Sequence, residues 1–158
     1  MEGGKKINIR YRDEIDKITS SINQTNKLYE HWASTKGINY YVFLVCYALY
    51  EDGKATQKEL REMFEVPKQT VHNAILQLKA NGYIEMEVSP TNKKEKNIKL
   101  SKEGFIYAEN LVVPLMKIEE RVIQKMGPTH TEQLIQLLDE YRKLLNGEIQ
   151  ESLKEEAD

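Results

Sequence analysis

Between residues 56 and 82 the chain carries a dense run of helix start and stop signals, and they leave little freedom in what it folds into. Thr56 followed three residues later by Glu59 is a capping box: the hydroxyl accepts from the Glu59 N–H and the carboxylate reaches back to the Thr56 N–H. The helix it starts, Gln57–Phe64, has Leu60, Met63 and Phe64 as its apolar face. It must stop before Pro67, because a residue preceding proline is pushed out of the helical region. Pro67 suits the first turn of a second helix, where its missing N–H is not needed. That helix turns Val71, Ile75 and Leu78 inward and ends at Asn81-Gly82, where glycine accepts the left-handed conformation. Two short helices so closely joined form a helix-turn-helix.

The residues that follow read as a two-stranded hairpin. Tyr83–Val88 forms one strand, Ser89–Lys94 supplies turn residues, and Asn97–Leu100 returns with Ile98 and Leu100 alternating. The polar tip carries Lys93, Lys94 and Lys96. A hairpin placed directly after a helix-turn-helix is a wing.

Helices flank this segment. From Ile15 the apolar or small residues Ile15, Ile18, Ile22, Thr25, Tyr29 and Trp32 recur at spacings of three and four, a heptad stripe. Ile38–Tyr50 is apolar all round; its β-branched and aromatic residues suit a strand, and its length suits the buried helix we assign, closed by Glu51-Asp52-Gly53. A long helix starts at Ser101, with Ile106, Leu111, Leu115, Ile118 and Val122 as its stripe. Pro114 is expected to kink it and Gly127-Pro128 to end it. Thr129 and Glu132 then form a second capping box, opening a last helix with Leu134, Leu137, Leu138, Tyr141, Leu144 and Leu145 on one face and fraying beyond Gly147.

Composition narrows the class further. With 158 residues there is room for one domain, and the single Cys46 cannot staple a secreted scaffold, which favours a reducing compartment. The longest uncharged apolar run, Tyr40–Tyr50, is about half of the roughly 20 residues a membrane span needs. Glu2, Lys5 and Lys6 precede no apolar stretch of the secretory kind, so a cytoplasmic protein without membrane partners is expected. The formal net charge of −2 hides a local asymmetry: Lys54–Lys102 holds ten Lys and Arg against six Glu, while Asn146–Asp158 holds five acids and one base.

A basic middle segment with a wing points to nucleic acid. The exposed positions of the second short helix are Lys68, Gln69, Thr70, His72, Asn73 and Gln77; Gln and Asn pair bidentately with adenine, and Thr serves phosphate or a thymine methyl. Lys93, Lys94, Lys96 and Lys99 are the hairpin's candidates for phosphate or the minor groove. The apolar stripes of the outer helices call for a second copy of the chain. Tyr29, Trp32, Tyr40, Tyr41 and Tyr47 cluster where the first two helices meet, the candidate site for a small aromatic effector, although core packing is the better explanation of any one aromatic. His31, His72 and His130 have no ligand spacing, so no metal or cofactor is expected. Nor is there a Gly-rich phosphate loop, a nucleophile elbow or a carboxylate pair for catalysis, and an enzyme is not expected. Cys46 sits in an apolar run with no cation to activate it as a redox sensor.

Ala55–Gly104, ATQKELREMFEVPKQTVHNAILQLKANGYIEMEVSPTNKKEKNIKLSKEG, resembles the winged helix of the MarR (multiple-antibiotic-resistance regulator) family. The match falls on Glu59-Leu60, Thr70-Val71, Leu78, Gly82-Tyr83-Ile84, the wing tip, Leu100-Ser101 and Gly104. Asn92 and Lys94 stand where that family usually has a wing aspartate and arginine, so the ion pair that braces such a wing is missing and a looser wing is expected. The resemblance implies a mainly α fold with a small β-wing: one MarR-type domain over 1–158, comprising a winged helix-turn-helix lobe at 54–104 and dimerisation helices at 8–38 plus 105–156. It implies a homodimeric regulator, expected to be a repressor, on an inverted repeat of double-stranded DNA, released by a small aromatic ligand. Two other readings are a winged-helix protein-interaction module without DNA affinity and a PadR-like regulator. The second fits poorly, because about 50 residues precede the helix-turn-helix.

Overall fold

A computed structural model of the protein describes residues 9–88 and 95–157. Its elements are α1 (Ile9–Thr35), α2 (Tyr40–Asp52), β1 (Lys54–Thr56), α3 (Gln57–Phe64), α4 (Lys68–Ala80), β2 (Ile84–Val88), β3 (Lys96–Leu100) and α5 (Lys102–Glu155). They fall into two compact units, residues 1–113 and 114–158.

The first unit is organised around α2. Asn39 caps it, its side chain accepting from the Tyr41 N–H at 2.9 Å, and Gly53 closes it at φ 76°. Val42, Phe43, Val45, Cys46, Ala48 and Leu49 are all buried, so the uniform apolarity of this segment reflects a helix enclosed on most sides rather than a strand. The α3 capping box forms as expected, with Glu59 N donating to Thr56 Oγ1 at 3.2 Å and Thr56 N to Glu59 Oε2 at 2.6 Å. Leu60 is fully buried beneath it. Met63 is instead 52% exposed, so the apolar face of α3 is narrower than its sequence implied. Glu65 makes the sharp turn at φ 49°, and Pro67 sits just before α4 rather than inside it: its extended backbone offers a carbonyl to the Thr70 N–H at 3.0 Å. Val71, Ala74, Ile75 and Leu78 press α4 onto the core.

The sheet departs from expectation by one strand. It has three strands in the order β1-β3-β2, all antiparallel, with Ala55 and Met86 both opposite Ile98, which is fully buried. Lys54-Ala55-Thr56 is too short to register as a strand and doubles as the approach to the α3 cap.

Gly82, at φ 72°, ends α4 and hands the chain to Tyr83. Ser101 ties this corner to the start of α5. Its N–H donates to Tyr83 O at 3.0 Å, its Oγ donates to Gly82 O at 2.7 Å and accepts from Gly104 N at 3.0 Å, and the Tyr83 and Tyr107 rings stack at 4.2 Å. On this stretch of α5 the buried residues are Ala108, Leu111 and Val112; Ile106, placed in the stripe by its spacing, is 60% exposed.

In the second unit the helix runs through Pro114 with helical dihedrals, and among its described residues only Gly127, at φ 74° and ψ 164°, departs from them. Pro128 therefore takes the first helical position, and Thr131 Oγ1 donates to Gly127 O at 2.9 Å. Gly127 replaces Thr129 as the cap, because a proline in the first turn fixes the start two residues earlier than the capping-box pattern does. The helix continues past Gly147 to Glu155: Gly147 lacks the positive φ that would end it, and its backbone stays helical. Val122, Leu134, Leu137, Leu138, Leu144 and Leu145 are between 45% and 63% exposed.

Two expectations follow. A Cβ on Gly104 would lie 1.8 Å from Tyr83 O, whereas one on Gly147 meets nothing. Gly104→Ala should therefore cost about 3 kcal/mol or more in urea unfolding, and Gly147→Ala should stabilise by about 0.5–1 kcal/mol. The N–H of Thr56 holds the Glu59 carboxyl below the ordinary glutamate value. Its stabilisation is thus complete above the unfolded-state value and fades as pH falls through the lowered folded one. Thr56→Ala should cost about 1 kcal/mol at pH 7, and Glu59→Gln should make the acid limb of stability against pH shallower.

Candidate nucleic-acid interface

α4 has two faces with different chemistry. Opposite its buried residues stand Lys68, Gln69, Asn73, Leu76 and Gln77, all exposed, flanked by half-buried Thr70 and His72. Gln69 Nε2 donates to Asn73 Oδ1 at 2.8 Å across one helical turn. Thr70, Asn73 and Gln77 also line a notch of about 210 Å³ together with Asn39, Tyr41 and Val42 of α2. The start of α2 thus adjoins the exposed polar side of α4, a neighbourhood that spacing along the chain cannot reveal.

A second cleft, of about 450 Å³, joins the helix-turn-helix to the hairpin. Met86 and Ile98, cross-strand partners, give it an apolar floor, and Lys58, Arg61, Lys68 and Lys96 stand around it with Glu95. Lys68 and Lys96 are candidates from sequence; Lys58 and Arg61 are not. They come to the cleft because β1 pairs with β3 and so draws the start of α3 against the sheet. The unrecognised third strand hid them.

Lys99 is a correction. Its ammonium sits 3.4 Å from Glu87 and 3.5 Å from Glu85, and the hydrogen bond to Glu87, then its charge, raise it above the ordinary lysine value. A cation already held by two carboxylates makes a poor phosphate contact. The strand register, which sets Glu85 directly opposite Lys99, is the signal that finds this. Lys93 and Lys94, with Asn92, lie outside the described residues.

The aromatic candidates divide. Tyr40 and Tyr41 are neighbours at 5.7 Å between ring centroids, whereas Tyr47 packs on Phe43 at 6.0 Å. Tyr29 and Trp32 are half-buried on α1; Lys36 Nζ lies 4.6 Å from the Trp32 ring centre, and the buried Trp32 Nε1 has no acceptor among the described residues. Burial first, then Glu30, pushes the Tyr40 phenol above its ordinary value. Cys46 is fully buried and its thiol is pushed up to about 12 by desolvation. Among the described residues no His, Cys, Asp and Glu group could hold a metal ion, and no helix is long and apolar enough to cross a membrane.

A helix-turn-helix whose second helix presents a polar face beside a hairpin defines a winged-helix domain. A sequence model of the MarR family matches residues 37–95, the segment that holds α2, the helix-turn-helix and the first strand of the hairpin. NMB1585, a MarR family regulator from Neisseria meningitidis, superposes with a TM-score of 0.79 at 27% identity, covering 88% of this chain and 98% of that one. The MepR–DNA complex of S. aureus gives 0.65 at 19% identity, covering 79% and 96%. Wild-type apo MarR of E. coli gives 0.54 at 19%, covering 79% and 93%. No curated protein matches the chain in sequence.

The buried thiol makes one expectation direct. At pH 8 a thiol at about 12 is ionised to on the order of one part in ten thousand. Native Cys46 should therefore be alkylated at least about 100-fold more slowly than in the urea-unfolded chain, by mass spectrometry of timed quenches. Comparable rates would place the thiol at the surface.

Proposed function

We propose that the chain is a homodimeric DNA-binding transcription regulator, acting in the cytoplasm as a repressor on an inverted-repeat site. The observation that carries this reading is the polar outer face of α4, held on a core that also seats the hairpin. Lys68, Gln69, Thr70, His72, Asn73 and Gln77 are the major-groove set, and Lys93, Lys94 and Lys96 the wing's cations. Lys58 and Arg61 join them through the cleft around Lys68 and Lys96. The lobe at 54–104 is the reader, and 8–38 with 105–156 the dimerisation region. MepR, solved on DNA, supports the reading as a protein of like fold.

Dimerisation is supported by apolar side chains left exposed in each unit taken alone. Tyr11, Ile15, Ile18 and Ile22 stand out along α1, and Leu134, Leu137, Leu138, Leu144 and Leu145 along the C-terminal helix. Two copies related by a dyad would set their recognition helices about 34 Å apart, one helical turn of duplex. A small aromatic effector at Tyr29, Trp32, Tyr40, Tyr41 and Tyr47 would give the Trp32 indole N–H its missing acceptor. It would act through its differential affinity for two spacings of the recognition helices.

The test is fluorescence anisotropy of the full chain on a duplex from its own upstream region and on a random duplex, across a salt series. A regulator making six to ten phosphate contacts loses about 10³ to 10⁵ in affinity between 50 and 200 mM salt. Lys93→Ala/Lys94→Ala should flatten that slope by roughly one to two phosphate contacts. Binding to neither duplex at 50 mM salt would sink the proposal and favour a protein-interaction module.

A further inference from the structure

We infer that Gln69, Asn73 and Leu76 act as one reading unit that selects an adenine next to a thymine. The inference rests on the DNA-binding reading above and names the base pairs that the same helix face would choose. The three residues lie on one side of α4, directly opposite the buried Val71, Ile75 and Leu78. Gln69 and Asn73 are already joined at 2.8 Å, Nε2 to Oδ1. That bond uses one of the two Gln69 amide N–H groups and one lone pair of Asn73 Oδ1, and it leaves the Gln69 carbonyl oxygen as an acceptor beside the Asn73 amide nitrogen as a donor.

Within a single base only adenine offers the complement, an N6 amino donor beside the N7 acceptor. Guanine presents acceptors at both O6 and N7 and would set O6 against the Gln69 oxygen. Cytosine offers a donor with no N7 beside it, and thymine has only the O4 acceptor. Because the two side chains fix each other before DNA arrives, little rotamer freedom remains to be lost on binding. The same bond makes them interdependent, since removing either frees the other to rotate.

Leu76 is 49% exposed in the middle of this polar face. Three residues beyond Asn73 it is displaced about 4.5 Å along the helix, close to the 3.4 Å rise of one base pair. The thymine C5-methyl is the apolar group that the major groove displays at such a distance. A contact with that methyl would cover part of the exposed leucine.

The experiment is in vitro selection of sites from a randomised duplex by the full chain, followed by affinity measurements on the selected duplex. The selected site should hold an A·T pair whose change to G·C weakens the wild type roughly 5- to 150-fold. Gln69→Ala and Asn73→Ala should each remove most of that discrimination at the same base pair, and the double variant should remove no more. Replacing the adjacent thymine by deoxyuridine, which lacks only the methyl, should weaken the wild type about fourfold and leave Leu76→Ala unaffected. All three positions are exposed, and circular dichroism should report unchanged folds. A selected G·C at that position, additive losses at two different base pairs, or equal deoxyuridine sensitivity in Leu76→Ala would each overturn the inference while leaving DNA binding intact. Failure to bind any duplex at 50 mM salt would remove the underlying reading instead.

Discussion

The corner where Ser101 meets Gly82 and Tyr83 holds the lobe together. One side chain and one backbone N–H tie the end of α4 and the first residues of the hairpin to the start of α5. The contact is only possible because Gly104 has no Cβ: its backbone lies against the Tyr83 carbonyl at a distance no side chain could share. Tyr83 and Tyr107 then stack across the same corner and shield it. These bonds fix where α5 leaves the end of α4 and the start of the hairpin, while Val71, Ile75, Leu78 and Ile98 hold the helix and the sheet on one core. The exposed ion pairs around Lys99 contribute far less, as solvent-screened pairs do.

Much of this was legible in the sequence because it depends on local chemistry. The Thr56–Glu59 box, the stop before Pro67 and the left-handed Gly82 are each decided within a few residues, and α3 matches its expected range from end to end. What the sequence concealed depends on partners far along the chain. β1 is three residues long and shows itself only through its pairing with β3, and with it went the cleft that gathers Lys58 and Arg61. Ile106 reads as a stripe residue by spacing, yet the buried side of α5 passes through Ala108, Leu111 and Val112. At the second start within α5, a proline overruled a capping box of good pattern.

Of the candidate site, the α4 residues were readable because a helix with one buried side must present the other. Lys99 was misread for the complementary reason: charge counted along a strand ignores what the neighbouring strand places opposite. The sheet face that bears Glu85 and Glu87 also carries Lys99 and Lys54, so its charges balance despite the basic excess of the whole segment. Lys58, Arg61, Lys68 and Lys96, by contrast, stand around the cleft between the sheet and the helix-turn-helix.

The pairing of residue 54 with residue 99 encloses the entire helix-turn-helix and hairpin in one closed loop. Contacts so distant along the chain form late, after the cost of loop closure has been met, and the structure they close is correspondingly cooperative. α3 and α4 both lie inside that loop. The strand pairing thus joins the segment before the helix to the segment after it, and α4 lies between two parts of the chain that are held together.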